Sequence, residues 1–222
     1  MITAYKRSVH VPQMPAENAA EEERGYHHGD LRHALIAAAV GLIEEQGLEA
    51  VSVRALARRL GVSPGAPFRH FQSRTALLTA VAEEAQDRLL EAVAQAQRKA
   101  LEGDPLNVFR AIGEGFLRWA FANPTHFQVI STRAVIDYDS PALRQRNDAL
   151  RLTMSQLMES AASQGQLRPG DVGNYVLGAR ALAYGLARMH IDGQFASWGV
   201  DTGKALGESM EVLDQFIAAI RA

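Results

Sequence analysis

The side chains that most often carry catalysis or bind metals are poorly spaced in this sequence. His27 and His28 could offer two imidazoles to zinc, but adjacent side chains point in different directions on a helix or strand, and no third ligand is evident nearby. Neighbouring carboxylates such as Glu44 and Glu45 cannot share a helix face and are typical of solvated charge. No Ser-His-Asp order, phosphate-cradling glycine loop or zinc-helix motif stands out. We therefore expect no catalytic residue, no metal site and no cofactor.

A different chemistry is indicated by residues 61–71, GVSPGAPFRHF, which hold two prolines where the flanking pattern predicts a short helix. A proline past the first turn normally breaks a helix. Pro64 would occupy the first helical position, where its missing N–H has no partner to lose. Pro67 would forfeit only the first helical bond, to the carbonyl of Ser63, so the damage stays at the helix tip. The predicted tip is followed at once by a basic residue, Arg69.

Positive charge is concentrated around this stretch. The whole chain has a net charge of −2, from 23 basic and 25 acidic residues. Residues 24–80 nevertheless hold seven basic and four acidic side chains, and the segments before and after them are acidic. A basic module joined to an acidic body is the asymmetry expected where only one part of a protein approaches phosphates.

Helical periodicity predicts the elements that would position these residues. Apolar residues recur at steps of three and four after Asp30, which is the predicted N-cap of a first helix. Ser52 is the predicted N-cap of a short second helix, and Ser73 that of a long helix that ends at Gly103. Further apolar-periodic segments follow at about 106–122, 124–137, 141–163, 171–192 and 201–221. No segment alternates apolar and polar residues between hairpin turns, so we expect an all-α protein of about nine helices.

The short capped helix, the turn at GVS and a second short helix opening on Ser63 predict a helix-turn-helix. This motif lays its second helix in the major groove of DNA. Five apolar residues are spaced to share one small core: Leu56, Leu60, Val62, Phe68 and Phe71. The same spacing also fits a simple pair of antiparallel helices in a bundle.

Residues 26–78, YHHGDLRHALIAAAVGLIEEQGLEAVSVRALARRLGVSPGAPFRHFQSRTALL, resemble the N-terminal DNA-binding domain of the TetR/AcrR family of transcriptional regulators. The segments ANPTHFQVI and ARALAYGLARMHIDG are similar to the ligand-binding domain of the subgroup named for a Trp-His-Gly signature, although this chain has Ala-Tyr-Gly at residues 183–185. The resemblance implies a three-helix helix-turn-helix domain at residues 26–75 and a helical ligand-binding and dimerisation domain at 76–222. Residues 1–25, with two prolines and an acidic cluster, are expected to be a mobile tail.

The family pattern implies roles for nine residues of the DNA-binding domain. Phosphate contacts are implied for Ser52, Arg54, Ser63 and Arg74. Base contacts are implied for Pro64, Gly65, Ala66 and Arg69, because a narrow tip approaches base edges closely and arginine pairs with guanine. His70 could reach a phosphate or cap a neighbouring group. Family members usually have tyrosine at position 68, so Phe68 keeps the packing but lacks the hydroxyl that would bond to a phosphate.

The acidic body holds many aromatic and soft side chains, which at helical spacing are typical of a plain core. The resemblance implies instead that they surround a pocket for a small, largely apolar ligand. The expected ligand contacts are Phe116, Trp119, Phe127, Arg133, Tyr138, Met154, Tyr184 and His190. The resemblance also implies a four-helix dimer interface on the last two helices. Its expected members are Ala183, Ala187, Met210, Leu213, Phe216 and Ile217.

These features predict a ligand-responsive transcriptional regulator whose partners are double-stranded DNA, a small-molecule effector and a second copy of the chain. We expect a repressor that leaves a palindromic operator when its ligand binds, with activation as the alternative. The chain has no cysteine and no run of about 18 apolar residues, so we expect a cytoplasmic protein without a membrane partner. The competing hypothesis is a helical small-molecule-binding or enzymatic protein with a vestigial DNA-binding fold.

Overall fold

The computed structural model describes residues 16–100 and 104–222, with side chains from residue 31 onward. This part of the chain contains eight α-helices: α1 (Ala16–Gln46), α2 (Val53–Arg59), α3 (Arg74–Arg98), α4 (Pro105–Ala122), α5 (Pro124–Ser131), α6 (Pro141–Ser163), α7 (Val172–Ile191) and α8 (Ala205–Ile220). Four short 3-10 helices connect them, at Leu48–Ala50, Pro67–Arg69, Arg133–Val135 and Phe195–Trp198. Because the β pairing among these residues is limited to one isolated bridge, the predicted all-α fold is confirmed. No helix in the described ranges combines the length and apolarity that a membrane crossing needs.

Nine helices were expected, and the one that does not form as an α-helix is the short helix after Ser63. This segment is a turn followed by the 3-10 helix Pro67–Arg69. The carbonyl of Ser63 accepts the amide of Ala66 at 3.0 Å, so it does not depend on the N–H that Pro67 lacks. The amide of His70 then donates to the carbonyl of Pro67, three residues earlier, at 3.0 Å. The segment that contains the second proline is therefore a 3-10 helix, in which hydrogen bonds join residues three apart, and it stays helical.

Two predicted N-caps are confirmed. The Ser52 hydroxyl accepts the Ala55 amide at 3.1 Å, and the Ser73 hydroxyl accepts the Ala76 amide at 3.0 Å. Helix α1 differs from its predicted start, because it begins at Ala16 and not after Asp30. Helix α3 ends at Arg98, and its predicted end at Gly103 lies outside the described residues.

Two hydrophobic cores are joined by the long helix α3. The first core, which belongs to the helix-turn-helix module, packs α1 and α2 against the start of α3, where Leu78 and Val81 are fully buried. The second core, in the helical body, packs α4, α6, α7 and α8 against the later part of α3 at Leu89 and Val93. Burying each such side chain stabilises the fold by roughly 1.5–3 kcal/mol. One rigid helix thus passes from the tip of the module into the body.

Helices α3 and α4 approach so closely that only glycine fits at one point. A Cβ atom at Gly115 would lie 2.8 Å from the Cα of Val93 and 2.9 Å from the carbonyl oxygen of Ala92. Both of these neighbours are backbone atoms, which cannot move aside as a flexible side chain can. The contact fixes the position of the body against the helix that it shares with the module.

Candidate functional site

The tip of the helix-turn-helix is exposed on one side and anchored on the other. Pro64 and Gly65 are exposed, whereas Pro67 and Phe71 are buried. A Cβ atom built at Gly65 would meet nothing within 4 Å. The buried side chains of Pro67 and Phe71 therefore anchor the tip in the module. At Gly65 a second molecule can contact the backbone directly.

Three arginines of the module, Arg54, Arg58 and Arg69, are exposed and form no hydrogen bond or ion pair with the described residues. Arg54 and Arg58 are four positions apart on α2, so they lie on one helix face. A guanidinium without an internal carboxylate is available for bidentate binding to phosphate or guanine. Arg58 was not among the DNA contacts predicted from the sequence, although its spacing from Arg54 was the signal that could have identified it.

Arg59, the neighbour of Arg58, has a different environment. Its two terminal nitrogens donate to the carboxylate of Glu45 at 2.7 and 2.6 Å, which ties α2 to α1. The hydrogen bond from Arg59 lowers the pKa of the Glu45 carboxyl. Arg59 therefore serves the packing of the module and is not a free cation.

Arg74 is also engaged within the chain, and its expected phosphate contact stays a prediction. Its Nε donates to the carbonyl of Val51 at 3.0 Å, and its Nη2 donates to the carbonyl of Leu48 at 2.8 Å. Glu49 lies 3.6 Å from the same Nη2, and the Arg74 side chain is 32% exposed. Because its Nε and Nη2 donate to backbone oxygens, Arg74 supports the loop that leads into α2.

The remaining predicted DNA contacts lie at the same end of the module. Ser52 is exposed, and its hydroxyl proton remains available because the oxygen is the acceptor for Ala55. Ser63 is exposed at the opening of the tip, and Ala66 is half-buried. His70 is half-buried and interacts within the chain.

The structure holds no obvious metal centre in its described part. No group of three or more metal-ligating side chains is assembled among those that the structure describes. His27 and His28 fall within α1, but their side chains lie outside the described residues.

A cleft of about 640 Å³ opens between α6 and α7 in the body. Its lining includes Tyr138, Arg144, Arg151, Met154 and Arg180. Of the eight residues predicted to contact ligand, two therefore line this cleft, Tyr138 and Met154. The 3-10 segment before Tyr138 adds a third predicted residue beside it, since the Arg133 guanidinium lies 3.7 Å from the centre of the Tyr138 ring.

A small apolar slot of about 40 Å³ adjoins the cleft and reaches into the second core. Phe116 and Met154 line it, together with Leu89, Val93 and Ala183. The slot and the cleft share Leu150, Met154 and Arg180. The polar cleft and the apolar slot are thus neighbours that meet at these three residues.

The other predicted ligand contacts are not among the residues that line either cavity. Trp119 and Phe127 are buried in the second core, so they act as packing residues, and the indole N–H of Trp119 finds no hydrogen-bond partner among the described residues. The His190 ring stacks on Phe121 with centroids 4.0 Å apart, and burial lowers the pKa of its imidazole. Tyr184 lies beside Phe127, with ring centroids 5.7 Å apart. Sequence spacing cannot distinguish core aromatics of this kind from pocket aromatics.

The cleft is hydrogen-bonded to α3. The amide of Asp137, next to Tyr138, donates to the Thr79 hydroxyl at 2.9 Å, and that hydroxyl donates to the carbonyl of Thr75 at 2.8 Å. On the α6 side, Gln86 donates to Asn147 at 2.7 Å. Since α3 begins only three residues after Phe71, these bonds join the cleft wall to the helix that follows the tip.

Four of the six predicted dimer contacts lie inside a single chain, which corrects that assignment. Ala183, Ala187, Leu213 and Ile217 are each at most 5% exposed and belong to the second core. A second chain cannot reach side chains that the first chain already covers. Met210 and Phe216 are half-buried and pack against the same core.

Two family models match the sequence. The first, described as bacterial regulatory proteins of the tetR family, matches residues 35–81. The second, described as the tetracyclin repressor-like C-terminal domain, matches residues 109–213. The chain belongs to the TetR family. The module with the exposed tip is thus the TetR-family N-terminal domain, and the helical body falls in the TetR-like C-terminal region. The resemblance to the Trp-His-Gly subgroup stays a prediction, because neither description names it.

The relatives of this TetR-family chain are distant. The HTH-type transcriptional regulator Mb1846 of Mycobacterium bovis is 29% identical over 108 residues, which is 49% of this chain and 46% of that protein. The chain thus spans about half the length of the mycobacterial relatives it matches. The HTH-type transcriptional regulator BetI of Pseudomonas paraeruginosa is 28% identical over 194 residues, 84% of this chain and 93% of the relative. The solved structure of a protein with unknown function from Rhodococcus sp. RHA1 has a TM-score of 0.71 at 28% identity and covers 89% of this chain and 98% of that one.

Proposed function

We propose that this chain is a DNA-binding transcriptional repressor that acts in the cytoplasm as a homodimer and leaves its operator when a small molecule occupies the α6–α7 cleft. The proposal rests on one observation. The exposed tip belongs to the same module as three exposed arginines that form no ion pair with the described residues. Pro64 and Gly65 are exposed just before Arg69, and α2 adds Arg54 and Arg58, which have no hydrogen-bond or ion-pair partner in the described part of the chain. Charges left free in this way can meet phosphates and base edges.

Each exposed residue has a role that its chemistry supports. The narrow edge at Gly65 would let the backbone approach base edges in the major groove, and the fork of Arg69 matches the two acceptors of guanine. Arg54, Arg58 and the Ser52 hydroxyl would hold phosphates. The phosphate contacts would set the position of the tip, and Arg69 would supply sequence preference.

Two copies would be needed for a palindromic operator. Their tips would enter successive major grooves about 34–36 Å apart. We place the contact between copies on the exposed sides of α7 and α8, where Ala181 and Ala218 are exposed and a Cβ at Gly185 would meet nothing within 4 Å. Small exposed residues allow two helices to approach closely across a two-fold axis.

Release would follow from the bonds between the cleft and α3. A ligand that moves Tyr138 would displace the amide of Asp137 from Thr79 and favour a different position of α3. The ligand can shift this equilibrium only by its differential affinity for the two conformers. Replacing Thr79 with Val keeps the shape but removes the hydroxyl, so T79V should bind DNA normally and respond more weakly to ligand.

The decisive experiment is selection of bound sequences from random duplexes by the purified full chain, followed by titration of the selected site at several salt concentrations. A regulator should enrich a palindrome, and its affinity should fall steeply with salt. Arg69→Ala should weaken binding to the selected site by about 1–3 kcal/mol. The matched control is Arg98→Ala, an exposed arginine of the body that pairs with Glu91.

Absence of any enriched duplex would contradict the proposal, as would equal losses in the Arg69 and Arg98 variants. The dimer is tested separately by Ala181→Arg, with Ala162→Arg on α6 as an equally exposed control. Sedimentation should show monomers only for the α7 variant, with a parallel loss of operator binding. Transcription from a promoter that overlaps the selected site should rise when the gene is deleted, and a fall would indicate an activator.

A further inference from the structure

Most arginines of the body pair with a carboxylate of the same chain, whereas Arg133, Arg168 and Arg180 have no such partner among the described residues. In the cleft, Arg144 pairs with Asp139 at 3.3 Å, and Arg151 pairs with Asp148 at 3.4 Å. Arg180 lines the same cleft and forms no hydrogen bond or ion pair with any described residue. The unbalanced charge of the cleft is therefore a single guanidinium.

Arg180 is held in place by aromatic faces. Its guanidinium carbon lies 5.2 Å from the ring centres of both Phe116 and Tyr184. The residue is open to the cleft but surrounded by protein, and this desolvation lowers the pKa of its guanidinium. Tyr138 and Tyr184 partly oppose this by raising the same pKa, and Arg133, whose guanidinium rests on Tyr138, adds positive charge nearby and lowers it. A partly desolvated cation without a carboxylate is costly until an anion reaches it.

Arg180 lies at the border between the cleft and the apolar slot. Arg180 is one of the three residues that the slot shares with the cleft, and the rest of the slot lining is apolar except for a glycine. With a volume of about 40 Å³, the slot has room for only a few groups of the size of water or methylene. A molecule that fits both spaces has a charged group at the mouth and a compact apolar part beyond it.

We propose that the effector of this chain is an organic carboxylate with an apolar body, bound through Arg180 at the junction of the cleft and the slot. The inference deepens the proposed function and rests on it for the consequence of binding. A single unpaired guanidinium matches a monoanion, and its fork binds a carboxylate through two parallel hydrogen bonds. Cationic effectors are disfavoured, because the cleft acids Asp139 and Asp148 are already paired and Arg133 would repel a second cation.

The probes are three small molecules that share a short apolar chain, sized for the slot, and differ in the charge of the head group: butanoate, butanamide and butylamine. Isothermal titration of the full chain should give at least about tenfold tighter binding for the carboxylate than for the amide or the amine. Arg180→Met keeps an apolar stem and should abolish this preference. Arg180→Lys keeps the charge without the fork, so the preference should persist in weakened form. Arg151→Met, which removes a paired arginine of the same cleft, should leave the preference intact.

Equal affinity for the three probes would overturn the proposal. It would also be overturned if the carboxylate did not bind at millimolar concentration, or if folded Arg180→Met protein kept an unchanged preference. Operator binding without probes is measured in parallel. A chain that binds its operator but ignores charge refutes the carboxylate effector alone, whereas a chain that selects no duplex refutes the proposed function itself.

Discussion

The module and the body differ in the solvent exposure of the residues that the sequence indicated for function. The module exposes them: Pro64, Gly65 and Arg69 project from a tip whose other side is buried. The body buries several of those that the sequence indicated, including Trp119, Phe127 and Leu213, and its cleft holds one arginine without a carboxylate partner among the described residues. A DNA-facing surface can be built from one short segment, whereas an internal cavity depends on what several helices leave uncovered.

The same contrast holds for arginine. In the module, Arg54, Arg58 and Arg69 form no ion pair with the described residues, whereas arginines of the body link helices, as Arg110 of α4 does through Asp214 of α8. Exposed ion pairs of this kind contribute only about 0–1 kcal/mol each, so they orient helices more than they stabilise them. An arginine that has no carboxylate partner within the chain is available to bind an external anion.

The largest expected effect tests whether Leu213 belongs to the core or to an interface. Leu213 is 1% exposed and packs beside Gly113 of α4. Leu213→Ala should therefore lower the free energy of unfolding by about 2–5 kcal/mol, because it leaves a cavity. Denaturant titration measures this loss. The exposed neighbour Gln215→Ala should change stability by less than about 0.5 kcal/mol. A Leu213→Ala protein of unchanged stability that sediments as a monomer would restore the interface assignment.

Two glycines sharpen the comparison, because the same substitution should damage different properties. Gly115→Ala forces a Cβ against backbone and should destabilise the fold by about 1–3 kcal/mol. Gly65→Ala adds a methyl group in open space, so unfolding should be unaffected while operator binding weakens. Denaturation and binding titrations on both variants separate the two effects. If Gly65→Ala bound DNA as the parent does, the tip would not approach the bases at backbone distance.

The helix caps of the module were predictable because their signals are local. Ser52 and Ser73 cap helices through amides three residues away, and the proline tip closes on the carbonyl of Ser63. Arg74 was not predictable, since its partners Val51 and Leu48 lie 23 and 26 positions earlier and become neighbours only when the module folds.

The cavity of the body was predicted poorly for a related reason. Residue type and helical spacing identify apolar faces, but they do not say which face another helix covers. Phe127 and Tyr138 look alike in sequence, yet the first is 1% exposed and the second lines the cleft. Arg180 stands out because no carboxylate lies beside it in the described structure. Which side chains become its neighbours is decided by the fold, so the sequence pattern alone could not identify it.

A pH dependence should come from the body. Burial lowers the pKa of the His126 imidazole, Arg88 lowers it further, and Glu84 and Glu44 partly oppose this. As the pH falls through about 6.5, the unfolded chain takes up a proton that the folded chain resists, so stability is full above that pH and declines below it. Urea titrations between about pH 7.5 and 5.5 measure the decline. The slope should flatten in His126→Gln, and further when His190, whose pKa burial also lowers, is replaced as well. An identical slope in the parent and both variants would assign the decline to other groups.

The smallest expected effect is a gain of affinity at the tip. Phe68 is 41% exposed, and family members usually carry tyrosine at this position. Phe68→Tyr adds a hydroxyl where the ring already meets solvent, so the fold should tolerate it. If the module sits on DNA as proposed, the hydroxyl reaches a phosphate and tightens binding by about 0.5–1.5 kcal/mol. A matched titration on the selected operator and on a scrambled duplex should show gains on both, because a phosphate contact carries no sequence information. The exposed Leu152→Tyr on α6 adds the same hydroxyl to the body and should leave DNA binding unchanged. Equal gains in the two variants would mean that the added hydroxyl acts without a specific position on DNA, and the contrast between an exposed, DNA-facing module and a body turned inward would lose its main support.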